Sequence, residues 1–515
     1  MNETIPGRQE IPVQNGAPAL LKARRIGIAT HEESQVFLHQ DCPVCRSEGF
    51  ASHARVLVTC DSRSIVANLY QVTSGIVQCD EAGFSDSAWE RLELVDGAPV
   101  KISHAAPLNS LSAVRGKVYG RPLDRASAAE IIADISNGLY SNIQLSAFLT
   151  ACAARPLDRD EIAALTRAMV DVGDRVAWGT TPILDKHSVG GLPGNRTTPI
   201  LVAIVAACGL TIPKTSSRAI TSPAGTADTM ETMAPVELDM ATMRRVVERE
   251  GGCVVWGGAV RLSPTDDILI RVERVLDLDS EGQLVASILS KKLAAGATQL
   301  VVDMPVGQTA KVRSGEAAAA LSRGLIEVSD MFGLKTRVIV ADGSQPIGRG
   351  IGPALEARDV LAVLQGKEDA PADLRERALV LAASLLEIGG AARDGEGAAL
   401  AARTLDNGRA WKKFQDICEA QGGMRSPPTA PYRHDVAAEH AGIVASIDNR
   451  RLSKLAKLAG APEDRAAGLD LHVRLGARVE KGQPMYTVHA EFAGELAYAL
   501  HFARANPGII EIERT

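Results

Sequence analysis

Between about residues 180 and 420 the chain alternates apolar strand-like runs with helical stretches, and this alternation restricts the fold more than any other feature. PILVAIVAACG is apolar all round and reads as a buried helix, whereas QLVVDMPV and TRVIVAD read as buried strands opening onto Gly-rich turns. A strand and helix repeat of this kind builds a largely parallel sheet covered by helices. With 515 residues the chain exceeds the ~250–300 at which one core stops growing, so other packed units must flank this one.

The expected fold class is multidomain α/β. Residues 1–100 carry short β-rich runs such as RVLVTC and SIVANLYQV between Gly, Ser and Asp turns, and predict a β-rich N-terminal domain. A helical domain is expected over 101–178. Ser127 and Glu130 have capping-box spacing, Ile131, Ile132, Ile135 and Leu139 share a face, and Gly138 marks a stop. A second helix opens at Ser141 with Gln144 three residues on, and a third runs from Glu161 to Val172. The α/β domain is placed at 179–425, with room for part of the helical lobe to be inserted in it. The C-terminal α+β domain is placed at 426–515. There LGARVEKGQPMYTVHAEF reads as two strands about a Lys481-Gly482 turn.

The net charge of -6, with both signs mixed along the chain, gives no field for a nucleic-acid polymer, and aromatics at 3% are too few for a base-stacking surface. A small ligand is the favoured partner. The first residues lack a charged start followed by an apolar core, and the longest apolar stretch, around Ile200 to Leu210, falls short of the ~20 residues of a membrane span. A soluble, cytoplasmic protein is expected. Eight cysteines are scattered, which fits a reducing compartment. Cys42 and Cys45 would make half of a zinc site with His39 or His53, but no second CxxC completes it, so no metal is assigned.

The densest chemistry lies in Asp185-Lys186-His187-Ser188-Val189-Gly190-Gly191-Leu192-Pro193-Gly194-Asn195, just ahead of a helix marked by Thr197, Thr198 and Pro199. Gly-rich loops before helices bind anions, because bare N–H groups and the positive helix end face the ligand. Lys186 adds a charge and Ser188 a hydroxyl. A second stretch, Lys214 to Glu231, places many hydroxyls beside Arg218 and Gly225, a poor core but a good donor set for phosphate oxygens. An ordinary polar loop capping a helix at Thr226 or Asp228 would explain it alone; together the stretches point to a phosphate pocket. GxxxxGK followed by Ser or Thr is absent, so the phosphate is read as a reactant held without magnesium.

DKHSVGG followed by SSRAITSPAGTADTME resembles the two signature segments of the thymidine phosphorylase/pyrimidine-nucleoside phosphorylase family, which includes the AMP phosphorylases. The likeness extends over more than four-fifths of the chain. It implies phosphate contacts from Lys186, Ser188, Thr198, Ser216 and Thr226, with one extra residue in the loop before Thr198. It implies a nucleoside contact from His187, and a substrate pocket lined by Gly191, Ser217, Arg218, Ala219, Ile220, Thr221, Ser222 and Thr226. SILSKK resembles the segment whose serine and first lysine bind the base, here Ser287 and Lys291, which share a helix face at i and i+4. Arg271 is the nearest counterpart of the family's base-binding arginine, though its surroundings depart from the usual pattern. Asp279 corresponds to the proton donor of the AMP-phosphorylase branch, and Lys311 to its nucleotide-contacting lysine.

The expected reaction is phosphorolysis of an N-glycosidic bond, thymidine and phosphate giving thymine and 2-deoxyribose 1-phosphate, with Lys186, His187 and Asp279 in the chemistry. Inorganic phosphate is the co-substrate and no cofactor is assigned, since DGSQPIGRGIGPALE lacks G-x-G-x-x-G. The alternatives are an AMP phosphorylase giving adenine and ribose 1,5-bisphosphate, and a non-catalytic nucleotide sensor. The resemblance also implies that the helical domain walls the substrate cleft and carries the dimer contact, that the cleft closes on substrate, and that the chain forms a homodimer or larger assembly.

Overall fold

The computed structural model describes residues 20–30, 33–219, 222–260, 262–276, 278 and 280–514. The chain divides into two compact units, Met1–Ser112 with Asp134–Leu145, and Ala113–Ala133 with Ser146–Thr515.

In the first unit β1 (Leu21–Arg25), β2 (Gln35–His39), β3 (Arg55–Cys60), β4 (Arg63–Val72), β5 (Glu81–Phe84) and β6 (Pro99–His104) close into a barrel in the order β1-β5-β2-β4-β3-β6. Residues alternate inward and outward, as the strand period requires, and Val36, Leu38, Val56, Leu69 and Phe84 fill the interior. Closure leaves no unpaired edge. Cys42 and Cys45 are buried free thiols at the start of the short helix Pro43–Glu48. Among the described residues, no group of three or more His, Cys, Asp or Glu side chains is placed to hold a metal ion.

Helices Arg125–Ser136, Asn142–Ala154 and Arg159–Asp171 occupy the expected helical stretch. The first is capped by Asp124, whose carboxylate accepts from Ser127 N at 2.8 Å, so the chain enters the helix earlier than the Ser127 and Glu130 spacing suggested. Ser141 and Gln144 do form a reciprocal cap, at 2.8 and 3.3 Å. Glu161, in a capping box with Asp158, is buried against Lys117 at 2.6 Å and also accepts from Leu123 N.

The second unit holds the parallel sheet. β7 (Leu184–Ser188), β10 (Gln299–Val306) and β11 (Lys335–Asp342) pair in the order β11-β10-β7, and β8 (Ile212–Ser216) pairs with β9 (Gly252–Trp256). A parallel bridge between Ile183 and Thr211 joins the two sets, so the strands run β11-β10-β7-β8-β9. The apolar run after the Gly-rich loop forms helix Thr198–Ala207, which is buried from Thr198 to Ala206, with Pro199 in its first turn. It packs into a core with Leu381, Leu385, Phe414 and Ile417. Each large apolar side chain fully buried there contributes about 1.5–3 kcal/mol. This helix therefore holds its N-terminus, and the loop that precedes it, in a fixed place.

Farther along, β12 (Gly350–Ile351), β13 (Tyr432–Ala437), β15 (Gly468–Leu471) and β17 (Pro484–Ala490) form one sheet in the order β12-β15-β17-β13, while β14 (Gly442–Ile447), β16 (Arg478–Val479) and β18 (Ile510–Glu513) form another. The two strands expected about Lys481 and Gly482 exist, but they do not pair with each other. β16 pairs with β14, whereas β17 pairs with β13 and β15, because the turn carries the chain from one sheet to the other. Among the described residues, no helix is long and apolar enough to cross a membrane.

Candidate active site

Four chain segments meet at the C-terminal ends of β7 and β8, where the strands open onto the N-termini of the following helices. This is the edge at which parallel α/β sheets place ligands. The loop after β7 turns back on itself through glycines. Gly191 has φ +81, and a Cβ there would stand 2.2 Å from Lys311 N, so only glycine lets the two backbones touch. The loop after β8 is drawn tight by Asp228, whose Oδ2 accepts from Ala219 N at 2.7 Å and Gly225 N at 2.8 Å. Gly225 in turn lies against the backbone of Ser217 and Arg218, closer than any side chain would allow.

Side chains alternate along β7, so the predicted residues separate onto two faces. On one, Lys186 is buried at 1% exposure, donating to Thr197 Oγ1 at 3.1 Å and standing 3.5 Å from Asp303 Oδ2. Asp303, opposite Ser188 on β10, also accepts from Ser188 Oγ at 3.2 Å, Asn195 Nδ2 at 2.9 Å and the Arg377 guanidinium. Burial opposes a charge on Asp303, yet Lys186 and Arg377 outweigh it and hold the carboxyl below its ordinary range. Burial likewise pulls the Lys186 ammonium below its usual pKa, with Asp303 acting against that pull.

Arg196, from the same loop, donates to Thr226 Oγ1 at 2.6 Å, Ala224 O at 2.8 Å and Glu356 Oε2 at 2.7 Å. The two hydroxyl-bearing loops are thereby brought together. Three cations, Lys186, Arg196 and Arg377, face two carboxylates, Asp303 and Glu356. At the end of β8 the Ser216 hydroxyl is buried with no hydrogen-bond partner among the described residues. A buried group of this kind calls for a ligand or water. Thr198 is the first residue of the buried helix, but the hydroxyl that meets Lys186 belongs to its neighbour Thr197.

On the other face Asp185 accepts from Lys292 at 2.7 Å and lies 3.4 Å from Lys214. Burial, with Lys214 adding to it and Asp185 opposing it, brings Lys292 down to about 7. His187 shares this face. Burial first, then Lys292, Lys291, Lys214 and Lys186, drive its pKa well below the ordinary imidazole value, so it is neutral at neutral pH. Ser287 and Lys291 lie one turn apart on helix Glu281–Ala294, and Lys291 donates to Asp266 at 2.5 Å on helix Pro264–Leu276, which also carries Arg271.

Other predicted residues have structural partners here. Arg218 donates to Asp228, Glu231 and Glu237 and stacks 4.9 Å over Trp256, and Ser222 donates to Ala224 O. Lys311 is exposed against the Gly191 turn. Ile220, Thr221 and Asp279 lie outside the described residues. Sequence reasoning placed Asn195, Thr197 and Lys214 in the two stretches without giving them a role, and missed Arg196, Lys292, Asp303, Glu356 and Arg377. For Asp303 the signal was a lone carboxylate inside an apolar strand; Glu356 and Arg377 lie on long helices with no local mark.

Residues 180–411 match the a/b domain of a glycosyl transferase family, residues 111–173 its helical bundle domain, and residues 443–509 the pyrimidine nucleoside phosphorylase C-terminal domain. A protein of Hahella chejuensis named "Putative thymidine phosphorylase" is 59% identical over 95% of this chain and 97% of its own. An Acidovorax protein named "Putative thymidine phosphorylase 2" is 61% identical over 96% of each chain. Among solved structures, anthranilate phosphoribosyltransferase from Thermus thermophilus aligns with a TM-score of 0.50 at 21% identity, covering 60% of this chain and 99% of that one, which speaks for the fold alone. The fold and the matched domains define an enzyme of the pentosyltransferase class. Within that class, the chain belongs to the thymidine/pyrimidine-nucleoside phosphorylase family.

Proposed function

We propose that the protein catalyses the phosphorolysis of thymidine to thymine and 2-deoxyribose 1-phosphate. The observation that carries this reading is the joining of two hydroxyl-rich loops through Arg196 and Thr226, with Lys186 bound to Thr197 in the first loop and the Ser216 hydroxyl unpartnered at the end of β8. Inorganic phosphate is the co-substrate, held by Lys186, Ser188, Thr198, Ser216 and Thr226. Ser188 reaches it by turning its hydroxyl from Asp303.

An oxygen of phosphate bonds to C1′ as the bond from C1′ to the base nitrogen breaks, and the bonding pair leaves with the base. The sugar passes through a cationic, oxocarbenium-like state, so the enzyme must stabilise an anion on each side of it. Fixed donors aimed at developing charge are worth roughly 2.7–4 kcal/mol each. Lys186 and the hydroxyls act on phosphate. Ser287 and Lys291, with Asp266 steering the ammonium, receive the negative base, and His187 contributes as a neutral hydrogen-bonding ring. Arg271 is assigned to the base and Lys311 to the nucleoside; Asp279 remains the assigned acid that protonates the leaving nitrogen.

Incubating the protein with phosphate and either thymidine or AMP tests the reading. Free thymine with 2-deoxyribose 1-phosphate is the expected product pair. Free adenine with ribose 1,5-bisphosphate would transfer the assignment to nucleoside 5′-monophosphates, and no base from either would favour a nucleotide sensor. A homodimer, a cytoplasmic location and the absence of any cofactor beyond phosphate belong to the same reading, the first checked by light scattering.

A further inference from the structure

Arg196 occupies an unusual position for a charged residue near a ligand site. Its side chain is 11% exposed, and its donors reach two elements distant in sequence. Nη1 meets the Thr226 hydroxyl at the start of helix Thr226–Glu231 and Nη2 the Ala224 carbonyl in the loop before it, while Nε meets Glu356 on helix Pro353–Leu364. Glu356 is 1% exposed and accepts in addition from Thr229 Oγ1 at 3.1 Å and Gly352 N at 3.3 Å. The carboxylate is thus held by three donors.

A hydroxyl that accepts a hydrogen bond has its own hydrogen turned away from that donor. Thr226 has one such hydrogen, and with Arg196 occupying its oxygen from behind, the O–H is left to donate elsewhere. Thr226 is only half-buried, which leaves room for a ligand to accept from it. Since the charge of Arg196 is matched by Glu356, the effect of the pair is mainly directional.

We propose that Arg196, anchored by Glu356, is a positioning residue for phosphate: it fixes the Thr226 hydroxyl as a donor toward the anion and sets the spacing of the two loops. The inference rests on the phosphorolysis reading above. Arg196 itself does not touch the anion, and acts through Thr226. Removing the arginine would free the hydroxyl to rotate and so weaken phosphate capture without altering the sites assigned to the base.

Replacing Arg196 alone strands a buried carboxylate, so the test uses the paired variant Arg196→Met with Glu356→Gln, the single Thr226→Val, and their combination, all checked for an intact melting transition. Wild-type base release is measured first; its absence would end the phosphorolysis reading, and the Arg196 proposal would then be decided by calorimetric titration of inorganic phosphate into wild type and the paired variant, equal affinities overturning it. With wild type active, the paired variant is expected to raise KM for phosphate at least tenfold and to leave KM for the nucleoside within about twofold. Adding Thr226→Val to the paired variant is expected to cost little more, because both changes remove the same oriented donor. Arg196→Lys, which keeps one donor, should fall between. An unchanged phosphate KM in the paired variant, or losses that multiply fully when Thr226→Val is added, would overturn the proposal.

Discussion

The two faces of β7 each bury one carboxylate among cations, yet they are organised differently. Asp303 is closed in by Lys186, Arg377, Ser188 and Asn195, and the cations around it keep it ionised despite its burial. Asp185 faces two lysines, one of which, Lys292, is brought to about 7. The first face is a set of fixed donors with charge to spare for an anion. The second is a titratable patch beneath a neutral histidine. A single strand can supply both, since successive side chains point to opposite sides. The division suits a reaction with two anionic partners: one, phosphate, arrives charged, and the other, the base, acquires its charge only as the bond breaks.

The largest effect should come from the fixed face. Lys186→Ala is expected to lower turnover by at least about 100-fold, in the range found for loss of one well-aimed donor, while the melting transition survives because Asp303 keeps Arg377, Asn195 and Ser188. Steady-state rates and circular dichroism check it, and retention of most activity would place phosphate elsewhere. Next, Arg377→Met should cost about 3 kcal/mol in denaturant unfolding, the lower end for breaking a buried pair, since Lys186 remains beside Asp303. An unchanged unfolding midpoint would mean the Asp303 cluster adds little to stability.

On the base side, Ser287→Ala and Lys291→Met should each raise nucleoside KM about tenfold, the scale of a charge-assisted hydrogen bond, and leave phosphate KM alone. A change in both constants would blur the distinction between the faces. The smallest effect concerns Lys292. Its folded value of about 7 lies below the ordinary 10.5, so between these values the unfolded chain holds a proton that the folded chain has lost. Stability from this group therefore rises with pH from 7 toward 10.5, and the burial penalty is complete below 7. Lys292→Met should flatten that rise in melting temperature against pH; equal slopes in variant and wild type would contradict the titration.

The parts of this arrangement that sequence exposes are those written in local pattern. The all-apolar run from Ile200 to Ala206 marked the buried helix, QLVVDMPV marked β10, and Gly191 and Gly225 marked loops where backbones touch. Lys186 stood out as a charge in a Gly-rich stretch ahead of a helix, and Ser216 because so many polar residues together make a poor core. Arg377 and Glu356 did not stand out, since a charge on a helix looks the same whether it points to solvent or to a carboxylate many residues away. The same limit explains the C-terminal strands: a Lys-Gly turn shows that the chain reverses, but not that β16 and β17 choose partners in different sheets.

The most direct test of the account is a crystal of the protein grown or soaked with inorganic phosphate. An anion is expected within hydrogen-bonding distance of Lys186 Nζ, Ser216 Oγ and Thr226 Oγ1, with Arg196 still bound to Thr226. An anion bound elsewhere, or a Lys186 ammonium that remains wholly turned to Asp303 at saturating phosphate, would contradict it.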